Sequence, residues 1–90
     1  LLEHRVVVEG REVKLTPTEY ELLKVMLKYA GRVLTHKQLL KAVWGNEYDT
    51  DTHYIRIYMR QLRRKIEPDP AQPKYLITEA GIGYRLLGGE

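Results

Sequence analysis

The 90-residue sequence contains no cysteine, which excludes disulfides, thiolate nucleophiles and cysteine-based zinc sites. It also lacks an apolar run of the about 20 residues needed to span a bilayer, and no charged-then-apolar leader opens it. We therefore expect a soluble, cytoplasmic protein that does not bind a membrane. Since the chain begins with Leu1 rather than Met, we expect it to belong to a longer protein.

Little in the composition suggests a reaction centre. With 43% hydrophobic residues, the chain is expected to form one domain, residues 1–90. At this size it buries only roughly 60 to 65% of its unfolded surface, which disfavours a deep active-site pocket. The carboxylates are scattered, and His4, His36 and His53 lack metal-ligand spacing. The sequence thus predicts a protein that is not an enzyme, with no cofactor, metal or small-molecule ligand.

Acidic residues are missing from residues 53–66, and this segment carries the excess positive charge. Residues 1–52 contain eight basic and eight acidic residues, and residues 67–90 contain two basic and four acidic residues. The basic residues between them are Arg56, Arg60, Arg63, Arg64 and Lys65. Such a block without a negative charge indicates a polyanionic partner.

Short β-prone runs at both ends of the chain predict two hairpins. The first has strands at 5–8 and 12–15 around a turn that contains Gly10. The second has strands at 74–78 and 84–87, and its turn contains two glycines.

Capping patterns predict three helices between the hairpins. Thr16 with Glu19, and Thr35 with Gln38, form capping boxes, which predict one helix over 17–30 and a second that ends at Gly45. A third helix is expected over about 51–66. The residues expected to face the core in the first helix are Tyr20, Leu23, Leu27 and Ala30, with Leu22 and Met26 beside them. In the second helix they are Leu39, Leu40 and Val43.

The third helix has two distinct faces when residues are placed at about 100° intervals. Ile55, Tyr58, Met59, Leu62 and Ile66 fall on one side, as a core stripe would. The opposite side and its flanks contain His53, Arg56, Ile57, Arg60, Gln61, Arg63 and Arg64. Arginine can bond guanine, glutamine can bond adenine, and an aliphatic side chain can meet a thymine methyl group, so this face suits a DNA major groove.

Three other interpretations of this face are weaker. Solvated helix faces usually mix charges to gain i,i+4 pairs of about 0.2 to 0.5 kcal/mol each, whereas this one has no acidic residue. A protein interface favours an apolar centre with aromatic anchors, and here only Ile57 is apolar. RNA recognition favours stacking aromatics on a sheet, which the sequence does not suggest.

Four segments, 15–23, 39–45, 57–66 and 81–85, resemble the winged-helix effector domain of OmpR/PhoB-type response regulators in order and spacing. The resemblance implies an α+β winged helix-turn-helix fold, with three helices, a small N-terminal antiparallel sheet and a C-terminal β-hairpin wing. It also implies sequence-specific binding of double-stranded DNA. The helix at about 51–66 would enter the major groove, and the wing at about 74–87 would enter the minor groove.

The resemblance also implies individual contacts. Base edges would be read by His53, Arg56, Ile57, Arg60 and Gln61. Phosphates would be contacted by Thr35, His36, Lys37, Trp44, Tyr54, Arg63 and Arg64. Arg85 would reach the minor groove, although it is equally compatible with an ordinary strand-surface arginine, as Trp44 is with a half-buried core residue. The loop residues Asn46, Glu47, Tyr48 and Asp49 correspond to a segment that contacts RNA polymerase in some members.

The expected partners are therefore RNA polymerase and double-stranded DNA with direct-repeat half-sites. Two copies of the domain would occupy these half-sites on DNA. Without DNA, the domain is expected to be monomeric or weakly associating. Two departures from the family pattern are visible. Ala80 and Ile82 stand where members commonly have polar or basic residues, so the wing is expected to make fewer hydrogen bonds. The family's N-terminal sheet usually has four strands, whereas only about two fit before Thr16, and an unpaired edge would favour pairing or swapping with another copy.

Overall fold

The computed structural model describes residues 4–45 and 53–87, and its N-terminal hairpin follows directly from the sequence pattern. Strands β1 (His4–Val8) and β2 (Arg11–Leu15) pair antiparallel, with Val6 opposite Val13. Glu9 and Gly10 both have positive φ, 52° and 78°, as the tight two-residue turn of a hairpin requires. Val13 and Leu15 are buried, so one face of the hairpin covers the helices.

Both predicted capping boxes are present. Helix α1 (Pro17–Lys28) begins where Thr16 Oγ1 accepts from the Glu19 N–H and Glu19 Oε1 accepts from the Thr16 N–H. Helix α2 (His36–Trp44) begins with the same reciprocal pair between Thr35 and Gln38. Each box satisfies backbone N–H groups that the first turn of a helix leaves without partners.

The expected inner face of α1 is wrong at two positions. Leu27 is 49% exposed because the buried stripe is centred on Leu22 and Met26, which places Leu27 at its edge. Ala30 is exposed because the helix ends at Lys28 rather than at residue 30.

The C-terminal hairpin belongs to a three-stranded antiparallel sheet. Strand β5 (Gly83–Leu86) lies between β3 (Val33–Thr35) and β4 (Leu76–Glu79). The sheet therefore contains the predicted wing hairpin together with the short strand that leads into α2. Gly83 opposes Thr35 in this sheet, and a side-chain carbon at Gly83 would clash with the Leu34 carbonyl.

Helix α3 (His53–Ile66) contributes the centre of the core, as its periodicity predicts. Ile55, Met59 and Leu62 have no exposed surface, and Tyr58 is half-buried beside them. They pack among Leu22, Met26, Leu39, Leu40 and Leu76. This arrangement of three helices and a wing is the predicted winged helix-turn-helix. None of the helices within 4–45 and 53–87 has the length and apolar character that crossing a membrane requires.

Candidate nucleic-acid interface

The outer side of α3 carries the residues expected to read bases. His53, Arg56, Ile57, Arg60 and Gln61 are all exposed, together with Tyr54 and Arg64. Ile57 is 41% exposed although it is aliphatic. Because the core stripe occupies the opposite side of the same helix, these side chains are presented outward as one surface.

A groove of about 560 Å³ separates α3 from the wing. Its walls include Arg56, Arg60, Arg63 and Arg64 from α3 and His36 from α2. Glu79 is the acidic residue among the lining residues, and the other side of the groove is formed by Thr78, Ala80, Gly81 and Tyr84. Four guanidinium groups beside one carboxylate make this groove electropositive, which favours an anionic ligand.

The start of α2 borders the same groove. Thr35 caps this helix, and the half-buried His36 ring meets the ring of Tyr84 edge-on, at 5.5 Å between centroids. Lys37 follows and is exposed. At the other end of α2, Trp44 is half-buried and lies 5.5 Å from Tyr58 between ring centroids, so part of its indole belongs to the core.

Arg63 differs from its neighbour Arg64, although both were expected to contact phosphate. Arg64 is exposed, whereas Arg63 is partly buried and turned toward β4. Its Nε and Nη2 donate to the Leu76 carbonyl at 3.1 and 2.9 Å, and Nη2 also donates to Thr78 Oγ1. The Arg63 guanidinium therefore already makes hydrogen bonds within the domain. A phosphate contact by Arg63 stays a prediction.

The sequence placed Arg85 in the second strand of the wing hairpin, and in the structure this strand is the central one of the sheet, with Arg85 opposite Val33 and Ile77. The neighbouring Tyr84 is buried toward α3, and successive strand residues face opposite sides, so Arg85 lies on the face away from α3. There its Nη2 is 2.7 Å from Glu79 Oε2. A minor-groove contact by Arg85 remains a prediction, and it would compete with this ion pair.

The groove also contains Thr78, Glu79 and Tyr84, which were not singled out from the sequence. Tyr84 lies beneath the groove, where burial raises the pKa of its phenol and the positive charges of Arg63 and Arg56 oppose that rise. The alternation of apolar and polar residues along β5 was the available signal for a buried tyrosine. Nothing local in the sequence pairs Thr78 with Arg63.

The RNA polymerase loop, Asn46 to Asp49, lies outside the described residues. Within the part of the chain that is described, no group of three or more histidines or acidic residues could hold a metal ion.

Comparison with known proteins decides the family. A family model described as "Transcriptional regulatory protein, C terminal" matches residues 10–86. The chain belongs to this family. The domain is thus a DNA-binding effector domain of a response regulator and not an enzyme.

Two curated relatives of this chain are KdpE regulators. Segments 53–59 and 78–85 of this sequence also resemble that regulator. The KDP operon transcriptional regulatory protein KdpE of Escherichia coli K12 is 54% identical over 87 residues, which are 96% of this chain and 39% of that protein. KdpE of Mycobacterium tuberculosis is 51% identical over 81 residues, 90% of this chain and 36% of that protein. The domain therefore spans little more than a third of the length of these relatives.

Solved structures agree with the fold. Response regulator DrrB of Thermotoga maritima, an OmpR/PhoB homologue, superposes with a TM-score of 0.79 at 31% identity, over 89% of this chain and 36% of that chain. The RstA DNA-binding domain of Klebsiella pneumoniae, solved with its RstA box, gives a TM-score of 0.82 over 92% of this chain and 82% of that chain. At 24% identity the second likeness shows the fold alone. The predicted OmpR/PhoB-type winged helix is confirmed.

Proposed function

We propose that the domain recognises a specific sequence in double-stranded DNA, with α3 in the major groove and the β4–β5 wing in the adjacent minor groove. The observation that carries this proposal is the electropositive groove between α3 and the wing, into which Arg56, Arg60 and Arg64 project. A major groove is wide enough for a helix, and each base pair presents there a distinct pattern of donors and acceptors.

The exposed side of α3 supplies the chemistry for reading bases. Arg56 and Arg60 offer the paired donors that match guanine O6 and N7, and Gln61 offers the donor and acceptor that match adenine. Ile57 is an exposed aliphatic side chain among polar ones, which suits a thymine methyl group. His53 lies at the first turn of α3 and completes the proposed base-reading set.

Residues around this face would hold the phosphate backbone. The start of α2 presents His36 and Lys37 beside backbone N–H groups of a helix N-terminus, where anions bind favourably. The remaining proposed phosphate contacts are Thr35, Trp44, Tyr54 and Arg64. Such contacts fix the register of a protein on DNA, whereas base contacts give sequence specificity.

The similarity to KdpE regulators supports a narrower proposal about biological context. We infer that the domain is the effector part of a two-component transcription regulator in the bacterial cytoplasm, acting on a potassium-transport operon. Two copies would occupy direct-repeat half-sites about one helical turn apart, and the bound regulator would contact RNA polymerase.

Selection from random duplex DNA at near-physiological salt, followed by sequencing, tests the DNA proposal. We expect a repeated motif to be enriched. Arg60→Ala should lose about 1 to 3 kcal/mol on the enriched site and much less on random duplex, whereas Arg64→Ala should weaken both similarly and reduce the salt slope by about one. Lys24→Ala, an exposed substitution on α1, is the charge-matched control. Retention of DNA no stronger than that of a neutral protein would exclude the proposed function.

A further inference from the structure

Two side chains bond the outer edge of β4 at Leu76: Arg63 in the last turn of α3 and Glu67, the residue that follows this helix. Strand β4 is an outer strand of its sheet, and an outer strand leaves backbone groups without ladder partners. At Leu76 both groups are bonded outside the sheet. The N–H donates to Glu67 Oε2 at 2.7 Å, and the carbonyl accepts from Nε and Nη2 of Arg63.

Arg63 also contacts the other strand of the wing. Its Cζ lies 5.8 Å from the centroid of the Tyr84 ring in β5, the same ring that His36 meets edge-on. Together with the hydrogen bond to Thr78, these contacts join one arginine of α3 to both wing strands. Lysine cannot reproduce them, because its ammonium lacks the planar fork that donates two bonds to one acceptor and lies over an aromatic ring.

The wing is held to α2 by a separate set of contacts. Thr35 pairs with Gly83 at the start of β5, and the His36 N–H donates to the Ile82 carbonyl at 3.3 Å. These contacts fix β5 relative to α2, whereas the hydrogen bonds between β4 and the end of α3 come from Arg63 and from Glu67, the residue after α3, in addition to the packing of Leu76 in the core. The position of the wing relative to α3 therefore depends on the end of α3 itself.

We propose that Arg63 is a positioning residue that holds the wing at the spacing from α3 needed to enter adjacent grooves. This inference rests on the proposed DNA function. It separates Arg63 from Arg64, which lies next to it in the chain but remains exposed. A wing already placed before binding costs less conformational freedom when the complex forms, so Arg63 contributes to affinity through the wing, separately from its predicted phosphate contact.

Three variants test the proposal. Arg63→Lys keeps the positive charge but loses the fork, and Thr78→Val removes one acceptor while keeping the side-chain shape. Arg5→Lys, at an exposed arginine of β1 outside the proposed interface, is the matched control. Residual dipolar couplings of backbone amides in the DNA-free domain measure the orientation of the wing relative to α1 and α3. Chemical footprinting on the selected duplex distinguishes guanine N7 in the major groove from adenine N3 in the minor groove.

For Arg63→Lys we expect the residual dipolar couplings of the wing residues 76–79 and 83–86 to disagree with the wild-type structure. The couplings of the helices should still agree with it. Affinity should fall by about tenfold, because a wing that Arg63 no longer holds must be ordered when DNA binds. Protection of adenine N3 beside the wing should be lost, protection of guanine N7 should persist, and the salt slope should not change. Thr78→Val should give a smaller change in the same direction, and Arg5→Lys should change none of these readouts.

Unchanged wing couplings in Arg63→Lys would overturn the proposal, as would an equal loss of protection in both grooves. If Arg63→Lys disturbs the helices as well, the wing couplings and the groove protection of Thr78→Val decide whether the proposal holds. Failure of the wild-type domain to select DNA would remove the proposed function, while the couplings of the DNA-free domain would still decide whether Arg63 positions the wing.

Discussion

The Nζ of Lys65 lies 2.6 Å from Oε1 of Glu19, the same carboxylate oxygen that accepts the Thr16 N–H in the α1 capping box. Glu19 is 1% exposed, so a single buried carboxylate both begins α1 and joins it to the end of α3. Lys65 is consequently occupied within the domain, although it belongs to the basic segment 53–66. The cations of that segment that remain exposed are Arg56, Arg60 and Arg64.

Two substitutions of Glu19 separate its two roles. Glu19→Gln keeps an oxygen for the Thr16 N–H but loses the charge, and it should cost about 1 kcal/mol because Lys65 is 34% exposed and solvent screens the pair. Glu19→Ala also loses the cap and should cost roughly 1 kcal/mol more. Urea unfolding of the two variants measures both free energies. Equal stabilities would contradict the capping contribution.

Leu62 and Ile57 test the rotational phase of α3. Leu62→Ala should destabilise the domain by about 2 to 5 kcal/mol because it leaves a cavity at a site with no exposed surface. Ile57→Ala removes an aliphatic side chain of similar size from the exposed side and should change stability by less than about 0.5 kcal/mol, while affinity for the selected duplex falls. Thermal unfolding and DNA titration of both variants are the measurements. A fully stable Leu62→Ala variant would show that the phase is wrong.

The turn of the N-terminal hairpin should respond to pH through Glu9. Hydrogen bonds from Tyr75 and Lys74 lower the pKa of Glu9 below 4.5, and the bond to Glu9 raises the pKa of Tyr75 above 10.0. The contribution of Glu9 to stability is therefore fully present above pH 4.5. It is lost as the pH falls through the lowered pKa of Glu9. The contribution of Tyr75 to stability is fully present below pH 10.0. It is lost as the pH rises through the raised pKa of Tyr75.

Tyr75→Phe removes the hydroxyl donor and makes this prediction measurable. The difference in unfolding free energy between wild type and Tyr75→Phe should be larger at neutral pH than well below the lowered pKa of Glu9, where the carboxyl group is protonated. Urea unfolding at several pH values gives this difference directly. A difference that does not vary with pH would contradict the role of the Glu9 carboxylate.

Local patterns predicted more of this domain than of its interface. The capping boxes at Thr16 and Thr35 and the buried stripe through Ile55 and Met59 depend on residues within a few positions of one another, so the sequence contains them. The pairing of β3 with β5 joins residues about fifty positions apart and involves only three residues of β3. Such a short strand has little periodicity of its own, which explains why it was not assigned to the wing sheet.

The groove shows the same limit at the level of side chains. Arg63 and Arg64 are adjacent and chemically identical, and helical periodicity placed both near the outward side. Their environments differ because the Leu76 carbonyl, thirteen positions beyond Arg63, lies within reach of only one of them. Likewise, the ion pair between Arg85 and Glu79 depends on the register of the wing hairpin, which the two glycines of the turn do not specify.

Glu79 is expected to limit DNA binding by holding Arg85 and by adding a negative charge to the groove. Glu79→Gln removes that charge without shortening the side chain, so the affinity for the selected duplex should rise by a few-fold, with a larger gain at low salt. Arg85→Ala should weaken binding most where the minor groove beside the wing is A·T-rich, because a narrow groove of that kind attracts cations. Fluorescence anisotropy titrations on duplexes that differ only in those base pairs measure both effects.

The double variant Glu79→Gln with Arg85→Ala distinguishes the two contributions of Glu79. If the gain depends on releasing Arg85 into the minor groove, it should disappear when Arg85 is absent. If the gain persists in the double variant, Glu79 acts only through repulsion of phosphate, and Arg85 is a strand-surface arginine whose partner is Glu79. Losses in Arg85→Ala that are independent of the A·T content beside the wing would likewise remove its proposed contact with the minor groove.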